Sequence, residues 1–333
     1  MSFLSISNLS KDYSHHCVVN DISFSIEQGE FISLLGPSGC GKSTTLNMIA
    51  GLETPTRGRI HLGSNDITHL PPGKRELSMV FQSYALFPHL SVKENILFGL
   101  KARRVDKQEQ IKRLQHAIEL VSLEEHINKK PSQLSGGQCQ RVALARSIAS
   151  QAPLCLMDEP LSNLDTKLRN EMRNELRQLQ KSLGLTVVYV THDQIEAMSM
   201  ADKIILLNQG KVEQQGSPES FYQTPESTFV ASFIGHPPMN LIPSHEYIIG
   251  VRPEHIEVQN VGHKTKINSC DYQGAATVIN VDIIDGPFHG AKDIQLSLMG
   301  KHQLTEGSDL TINWSEQEQH LFSKSTGKRI TNP

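Results

Sequence analysis

The sequence predicts an α/β domain with buried strands, followed by a small all-β domain. Three observations carry this. The apolar run Phe31-Ile32-Ser33-Leu34-Leu35 leads through a glycine-rich loop into a helix pattern. Two further apolar runs, Leu154-Cys155-Leu156-Met157 and Thr186-Val187-Val188-Tyr189-Val190, alternate with segments of helical spacing. Beyond about His236 long helical patterns stop and only short β-like runs remain.

The loop is Gly36-Pro37-Ser38-Gly39-Cys40-Gly41-Lys42-Ser43-Thr44. A strand, a glycine loop ending in Gly-Lys-Ser and then a helix form the context of a phosphate-binding P-loop. The glycines let successive backbone N–H groups turn inward without a Cβ in the way. Those groups and the positive helix end make a seat for polyphosphate. Lys42 is placed for the β- and γ-phosphates, and the Ser43 hydroxyl for Mg²⁺. A P-loop alone names only a nucleoside triphosphate.

Before the loop, Phe3-Leu4-Ser5-Ile6 and Ile22-Ser23-Phe24-Ser25-Ile26 alternate as strands, and Glu27-Gln28-Gly29-Glu30 turns into the P-loop strand. Tyr13 lies between the first two, where an aromatic ring can stack on a base or simply pack. After the P-loop helix, Ile60-His61-Leu62 and Met79-Val80-Phe81 read as strands, the second followed directly by Gln82. The stretch 84–90 is apolar, aromatic and broken by Pro88. It reads equally as a buried loop or as a hydrophobic docking patch.

Ile111, Leu114, Ile118 and Val121 predict a helix over 106–121. Leu134-Ser135-Gly136-Gly137-Gln138 opens another over 141–150. Ser135 suffices as its cap, whereas two glycines offer a second anion seat. The strand 154–157 ends in Asp158-Glu159-Pro160. Adjacent carboxylates at the end of an apolar run call for a metal or a proton-transfer task. Asp158 is placed to hold Mg²⁺ and Glu159 to polarise an attacking water. Leu168, Met172, Leu176, Leu179 and Leu183 predict an amphipathic helix over 166–183, ended by Gly184. The strand 186–190 stops at Thr191-His192-Asp193, a strand-tip histidine beside a P-loop. Ile204-Ile205-Leu206-Leu207 and Lys211-Val212-Glu213 around Gly210 predict a hairpin. Pro237, Pro238 and Pro243 mark a linker. Strand-like runs at 248–251, 276–279, 294–298 and 310–313 then predict a small barrel or sandwich.

The 333 residues suffice for a large domain and a small one, with boundaries drawn at 1–235 and 236–333. A net charge of −3 gives no global field toward nucleic acid or an anionic membrane. The five cysteines include no Cys-x-x-Cys pair, which predicts reduced thiols rather than disulfides or zinc. Residues 1–8 show no signal-peptide pattern, and no apolar run has the length of a membrane span.

Taken together these segments resemble the ATPase subunit of ATP-binding-cassette (ABC) transporters. The run 36–43 resembles Walker A, Gln82 the Q-loop, and residues 134–138 the family signature unaltered. Residues 156–159 resemble Walker B with its catalytic Glu, Ser162-Asn163-Leu164-Asp165 the D-loop, and His192 the switch histidine. Tyr13 falls where the family keeps a base-stacking aromatic. The stretch 79–92, Ser232-Phe233-Ile234-Gly235 with Pro238-Met239-Asn240-Leu241, and Gly250-Val251-Arg252-Pro253-Glu254-His255 are similar to the importers of maltose, other oligosaccharides and glycerol-3-phosphate. The last run belongs to an oligomer-binding-like C-terminal regulatory domain in that group. Two departures stand out. Cys139 follows the signature where the family usually has Arg, and only a few residues separate Asn240 from Gly250, where the family usually has several strands, so the resemblance implies a shortened regulatory domain.

The resemblance implies a homodimer with ATP and Mg²⁺ between subunits. Gly36 to Thr44 of one copy, with Tyr13, would face Ser135, Gly136, Gly137 and Gln138 of the other, with Asp165 nearby. Ser43, Gln82 and Asp158 would hold the metal. Glu159 would be the base, and His192, Gln82 and Lys42 would complete catalysis. Transmembrane permease subunits are the implied partners, with an extracytoplasmic solute-binding protein acting through them and no nucleic acid. The implied location is peripheral, on the cytoplasmic face of the inner membrane. The rivals are a cassette ATPase for an inorganic ion or polyamine, and a soluble one acting on DNA or ribosomes. The second lacks the long coiled coils or paired cassettes expected of it. A GTPase is disfavoured because Asn128-Lys129-Lys130-Pro131 fails the guanine-reading motif.

Overall fold

The computed structural model describes residues 2–14 and 16–330 of the chain. Met1 of the segment read for a leader, and residues 331–333 at the end of the second expected domain, lie outside the described residues. The chain divides into two compact units after Pro218.

The first unit contains a six-stranded sheet in the order Lys211–Gly216, Lys203–Asn208, Phe31–Leu35, Thr186–Val190, Leu154–Asp158, Leu77–Val80. Five of these strands run parallel, and the hairpin strand Lys211–Gly216 closes one edge antiparallel. Phe31–Leu35 and Thr186–Val190 are buried at every position, which explains their unbroken apolar runs. A four-stranded antiparallel sheet, His16–Ile26, Leu4–Tyr13, Arg57–Leu62 and Asn65–Asp66, shares one core with it. The helix Lys42–Ala50 contributes Leu46, Met48 and Ile49 to that core beside Ile6, Ile22, Leu34, Leu156 and Val188. A helix buried on most sides shows no amphipathic stripe.

The helices Val92–Ala102 and Lys107–Leu120 pack on Gly136–Ser150. The helix Thr166–Leu183 has the predicted bounds and ends at Gly184 in the left-handed conformation. Sequence patterning gave no helix at Val92–Ala102 or Gln194–Met200. The first starts at a Ser91/Glu94 capping box, a legible signal just after the aromatic stretch. The second has only seven residues, too few for a period.

In the second unit, one sheet runs Asn240–Pro243, Tyr247–Val251, His320–Ser323, and the other Ile294–Met299, Ala276–Ile283, Glu257–Tyr272, Asp309–Asn313. Their core holds Ile242, Val251, Ile267, Ile279, Val281, Leu296, Ile312 and Trp314. The expected linker is corrected here, because Asn240–Pro243 is an edge strand with Pro243 at its end opposite Ile248. Proline is tolerated at an edge since it owes the ladder no N–H there. The short spacing between Asn240 and Gly250 is thus two strands joined by a turn, closed by Ser244 N–H donating to Tyr247 O at 2.9 Å. The Asn240 side chain ties the two sheets together. It donates to Val251 O at 3.2 Å and Gln295 O at 2.8 Å, and accepts from Gln295 N–H at 2.8 Å.

The unit division falls upstream of the expected boundary at 235, and side chains explain why. Ala231, on the helix Thr228–Phe233, clusters with Met239 and Phe322. Arg252, 1% exposed, donates to Tyr222 O at 3.0 Å and to Ile234 O, and lies 4.0 Å from the Tyr222 ring centroid. One buried guanidinium therefore anchors 222 and 234 to the strand end at 251.

Candidate active site

The carboxyl ends of the parallel strands bring the expected chemistry together. Phe31–Leu35 delivers the glycine loop, Leu154–Asp158 delivers Asp158 and Glu159, and Thr186–Val190 delivers His192. A pocket of about 480 Å³ is lined by Val18, Ser38, Gly39, Gly41, Lys42, Ser43, Thr44, Glu159 and His192.

The loop conformation depends on glycine at two points. Gly41 caps the helix Lys42–Ala50 at φ 102°, and a Cβ there would stand 2.8 Å from Val18 O. A Cβ on Gly36 would stand 2.2 Å from Leu207 O. No side chain caps this helix, so its first N–H groups face the pocket end without a side-chain acceptor. Lys42 is buried and donates to the carbonyls of Gly36 and Pro37, both at 2.8 Å. An ammonium held at the loop's own carbonyls sits where polyphosphate charge is to be met.

Ser43 Oγ donates to Asp158 Oδ1 at 3.0 Å. Burial raises the Asp158 pKa, and the Ser43 hydrogen bond opposes that shift. A hydroxyl and a carboxylate this close form the hard oxygen pair that magnesium favours. His192 Nδ1 lies 3.0 Å from Glu159 Oε2. Glu159 has φ 43°, and its N–H donates to Val190 O at 3.0 Å. The carboxylate is thus aimed by a left-handed backbone and a neighbouring strand.

The remaining expected residues sit elsewhere. Among the described residues, Tyr13, Gln82, Asp165 and residues 135–138 do not line this pocket. Tyr13 is 42% exposed, with Lys11 Nζ 4.8 Å from its ring centroid. Gln82 donates from Nε2 to Ser162 Oγ at 3.2 Å, and its carbonyl accepts from Asn163 at 2.9 Å. Asp165 caps the helix Thr166–Leu183 by accepting from Leu168 N–H at 3.1 Å. Ser135 and Gln138 form a capping box on Gly136–Ser150, which begins at Gly136 rather than at 141. Gly137 has a packing reason to be glycine, since a Cβ would stand 2.8 Å from Leu168 Cδ2.

Cys40 departs from its expected place in the phosphate seat. Its side chain belongs to the core cluster, 4% exposed, and its N–H donates to Pro37 O at 3.4 Å. Burial raises the thiol pKa. Val18, by contrast, lines the pocket without having been anticipated. An apolar strand residue carries no chemical signal, and only the packing of Gly41 against Val18 O places it there.

A second cleft of about 520 Å³ is mainly apolar, lined by Leu52, Leu77, Met79, Phe81, Ala85, Phe87, Phe98 and Arg146 among others. Phe87 and Phe98 pack with centroids 4.2 Å apart and ring planes tilted by 39°. Ala85 and Phe87 of the stretch 84–90 line the cleft, and Asn95 holds its partly buried backbone. Its amide donates to Phe87 O, Leu90 O and Ser91 O at 3.0–3.2 Å.

The fold and the first pocket define a P-loop ATPase. Comparison with known proteins narrows the class. Residues 19–162 match the model of the ABC transporter family, and 249–322 that of the TOBE domain. The sn-glycerol-3-phosphate import ATP-binding protein of Brucella abortus is 41% identical over 99% of this chain and its own full length. The trehalose/maltose import ATP-binding protein of Thermococcus litoralis is 40% identical, covering 96% of this chain and 97% of itself. A dimeric bacterial ABC transporter cassette of solved structure is 34% identical, with a TM-score of 0.58, over 65% of this chain and 98% of its own. The chain belongs to the ABC transporter family, as one of its ATP-hydrolysing import subunits. Among the described residues no helix is long and apolar enough to cross a membrane.

Proposed function

We propose that two copies of this chain close around two ATP molecules and thereby drive uptake of glycerol-3-phosphate or an oligosaccharide through membrane permease subunits. The observation that carries the reading is the convergence of Lys42, the Ser43–Asp158 pair and the Glu159–His192 pair on one glycine-lined pocket. The solute class is taken from relatives named for glycerol-3-phosphate and for trehalose/maltose import.

Lys42 and the first N–H groups of Lys42–Ala50 bind the phosphates. Ser43 and Asp158 would hold magnesium, which would supply charge neutralisation at the phosphate oxygens. Glu159 accepts a proton from the attacking water, and His192, 3.0 Å from it, fixes its orientation. Gln82 and Asp165, though outside this pocket, are assigned to the ATP site with them, and Tyr13 offers a face to the base. Ser135, Gly136, Gly137 and Gln138 act on the partner's nucleotide, in keeping with their place outside this chain's own pocket. A related cassette of solved structure is described as dimeric. The apolar cleft at Phe81, Phe87 and Phe98 receives a permease segment on the cytoplasmic side of the membrane. A solute-binding protein outside the membrane supplies the cargo, and no nucleic acid is involved.

The test is uptake by the chain reconstituted with the permeases encoded beside its gene. Labelled glycerol-3-phosphate, maltose, a polyamine and an inorganic ion are offered in turn. ATP-dependent uptake of either of the first two is expected. ATP hydrolysis that no permease stimulates would overturn the transport reading.

A further inference from the structure

Residues 82–91 run from the active-site region to the apolar cleft, and side chains from outside the segment hold their backbone, Arg146, Asn95 and Asn163 among them. Tyr84 and Ala85 have φ of 63° and 45°. Non-glycine residues avoid this region, and two in succession persist only where the surroundings impose them. Arg146 supplies the constraint. Its Nη1 donates to Ala85 O at 2.7 Å and its Nη2 to Tyr84 O at 2.9 Å. The planar fork suits two neighbouring carbonyls as a single-point ammonium does not. Arg146 is half-buried in the cleft wall beside Ala85 and Phe87, where burial lowers its pKa.

The turn is tied on its other side as well. Gln82 bonds Ser162 Oγ and Asn163, in the loop that follows Glu159. The Tyr84 hydroxyl lies 3.8 Å from where a Cβ on Gly136 would stand. Arg146 rises from the same helix, Gly136–Ser150, ten residues on. One turn therefore touches the Glu159 loop, the cleft and the helix that begins at Gly136.

We propose that Arg146 is a positioning residue for ATP hydrolysis: by holding the left-handed Tyr84–Ala85 turn it keeps Gln82 on the Ser162 loop beside Glu159. The inference rests on the assignment of Gln82 to the ATP site.

The experiment is steady-state ATP hydrolysis by the full chain. Arg146→Gln is neutral and too short to span both carbonyls. It should lower kcat about tenfold, leaving KM for ATP unchanged because the P-loop is untouched. Ala85→Gly added to Arg146→Gln should restore kcat to within about twofold, since glycine takes positive φ without steric cost. Unchanged kcat in Arg146→Gln, or a loss that Ala85→Gly does not restore, would overturn the proposal. Should Arg146→Gln prove insoluble, the double variant should recover soluble, active protein, and failure to do so counts against the proposal equally. Gln82→Ala separates the two layers. Unchanged kcat there refutes the role of Gln82. Lowered kcat there with an unaffected Arg146→Gln refutes the positioning alone.

Discussion

Two helices of this chain begin at glycines, and they are built differently. Lys42–Ala50 is entered through a left-handed Gly41, has no side-chain cap, and starts with a buried lysine and a serine bonded to Asp158. Gly136–Ser150 is entered through Ser135, whose hydroxyl accepts from Gln138 N–H while Gln138 Oε1 accepts from Ser135 N–H. The first helix end leaves its donors for a ligand. The second satisfies part of its own need, leaving the N–H groups of Gly136 and Gly137 without intrahelical partners. On the proposed function, the first is most of an anion site and the second the part that another copy contributes.

The largest effect should come where the first site does chemistry. Glu159→Gln keeps the shape and removes the base, so kcat should fall by about 10²–10⁴ while ATP still binds. The variant should retain ATP through gel filtration. Adding Gly136→Asp breaks the comparison if the second helix end plays no part. Gly136 is exposed, and its Cβ would meet only ordinary contacts at 3.5 Å and beyond, whereas Gly137 is packed against Leu168. At ~4 Å a carboxylate and a phosphate repel by a few kcal/mol at intermediate dielectric. Retention should then be lost, with ATP still titrating onto the P-loop. Retention by the double variant would refute the shared site.

Next in size is Lys42→Ala. It removes the charge at the loop carbonyls of Gly36 and Pro37. ATP affinity should fall about 100-fold, the value of one or two charged hydrogen bonds. Titration calorimetry reads this directly, and an unchanged affinity would sink the P-loop assignment. Smaller again is Ser135→Ala, which removes a helix cap worth about 1 kcal/mol. It should shift the denaturant midpoint and leave the intrinsic P-loop affinity as it was. A loss of that affinity would mean the two helix ends are not independent within one chain.

Much of this was legible in the sequence. The buried parallel strands announce themselves as apolar runs, and 31–35, 166–183 and 186–190 have the bounds their patterns predict. The motifs at 36–44, 158–159 and 192 are legible because each joins a chemical side chain to the end of a strand. What was not legible is side-chain-to-backbone anchoring. Arg146, Arg252 and Asn240 bond carbonyls 30 or more residues away, Asn95 bonds those of the loop before its helix, and no local periodicity marks such a residue. Pro243 misled because proline signals a break in local pattern, yet a sheet edge accepts it. Val18 could not be found at all, since its role is only to pass close to Gly41.

The smallest effect concerns the two sides of the P-loop itself. Cys40 stands between Gly39 and Gly41, and the motif alone places its thiol against phosphate. The backbone does otherwise, turning the Cys40 side chain away from the face that its neighbours Gly39 and Gly41 line. Ser38, Gly39, Gly41 and Lys42 line the pocket, whereas Cys40 Sγ joins the core and its N–H donates to Pro37 O. Burial raises the thiol pKa and, with the residue 4% exposed, keeps a reagent from reaching it. Cys17 is exposed and should alkylate first. Brief N-ethylmaleimide treatment of the folded chain should therefore modify Cys17, leave Cys40 unlabelled by peptide mass mapping, and change ATPase activity little. Cys40→Ala should alter activity less than stability, since it trades a buried sulfur for a small void. Rapid labelling of Cys40 that bound ATP prevents would place the thiol in the seat after all, and would show that the loop turns over between two arrangements.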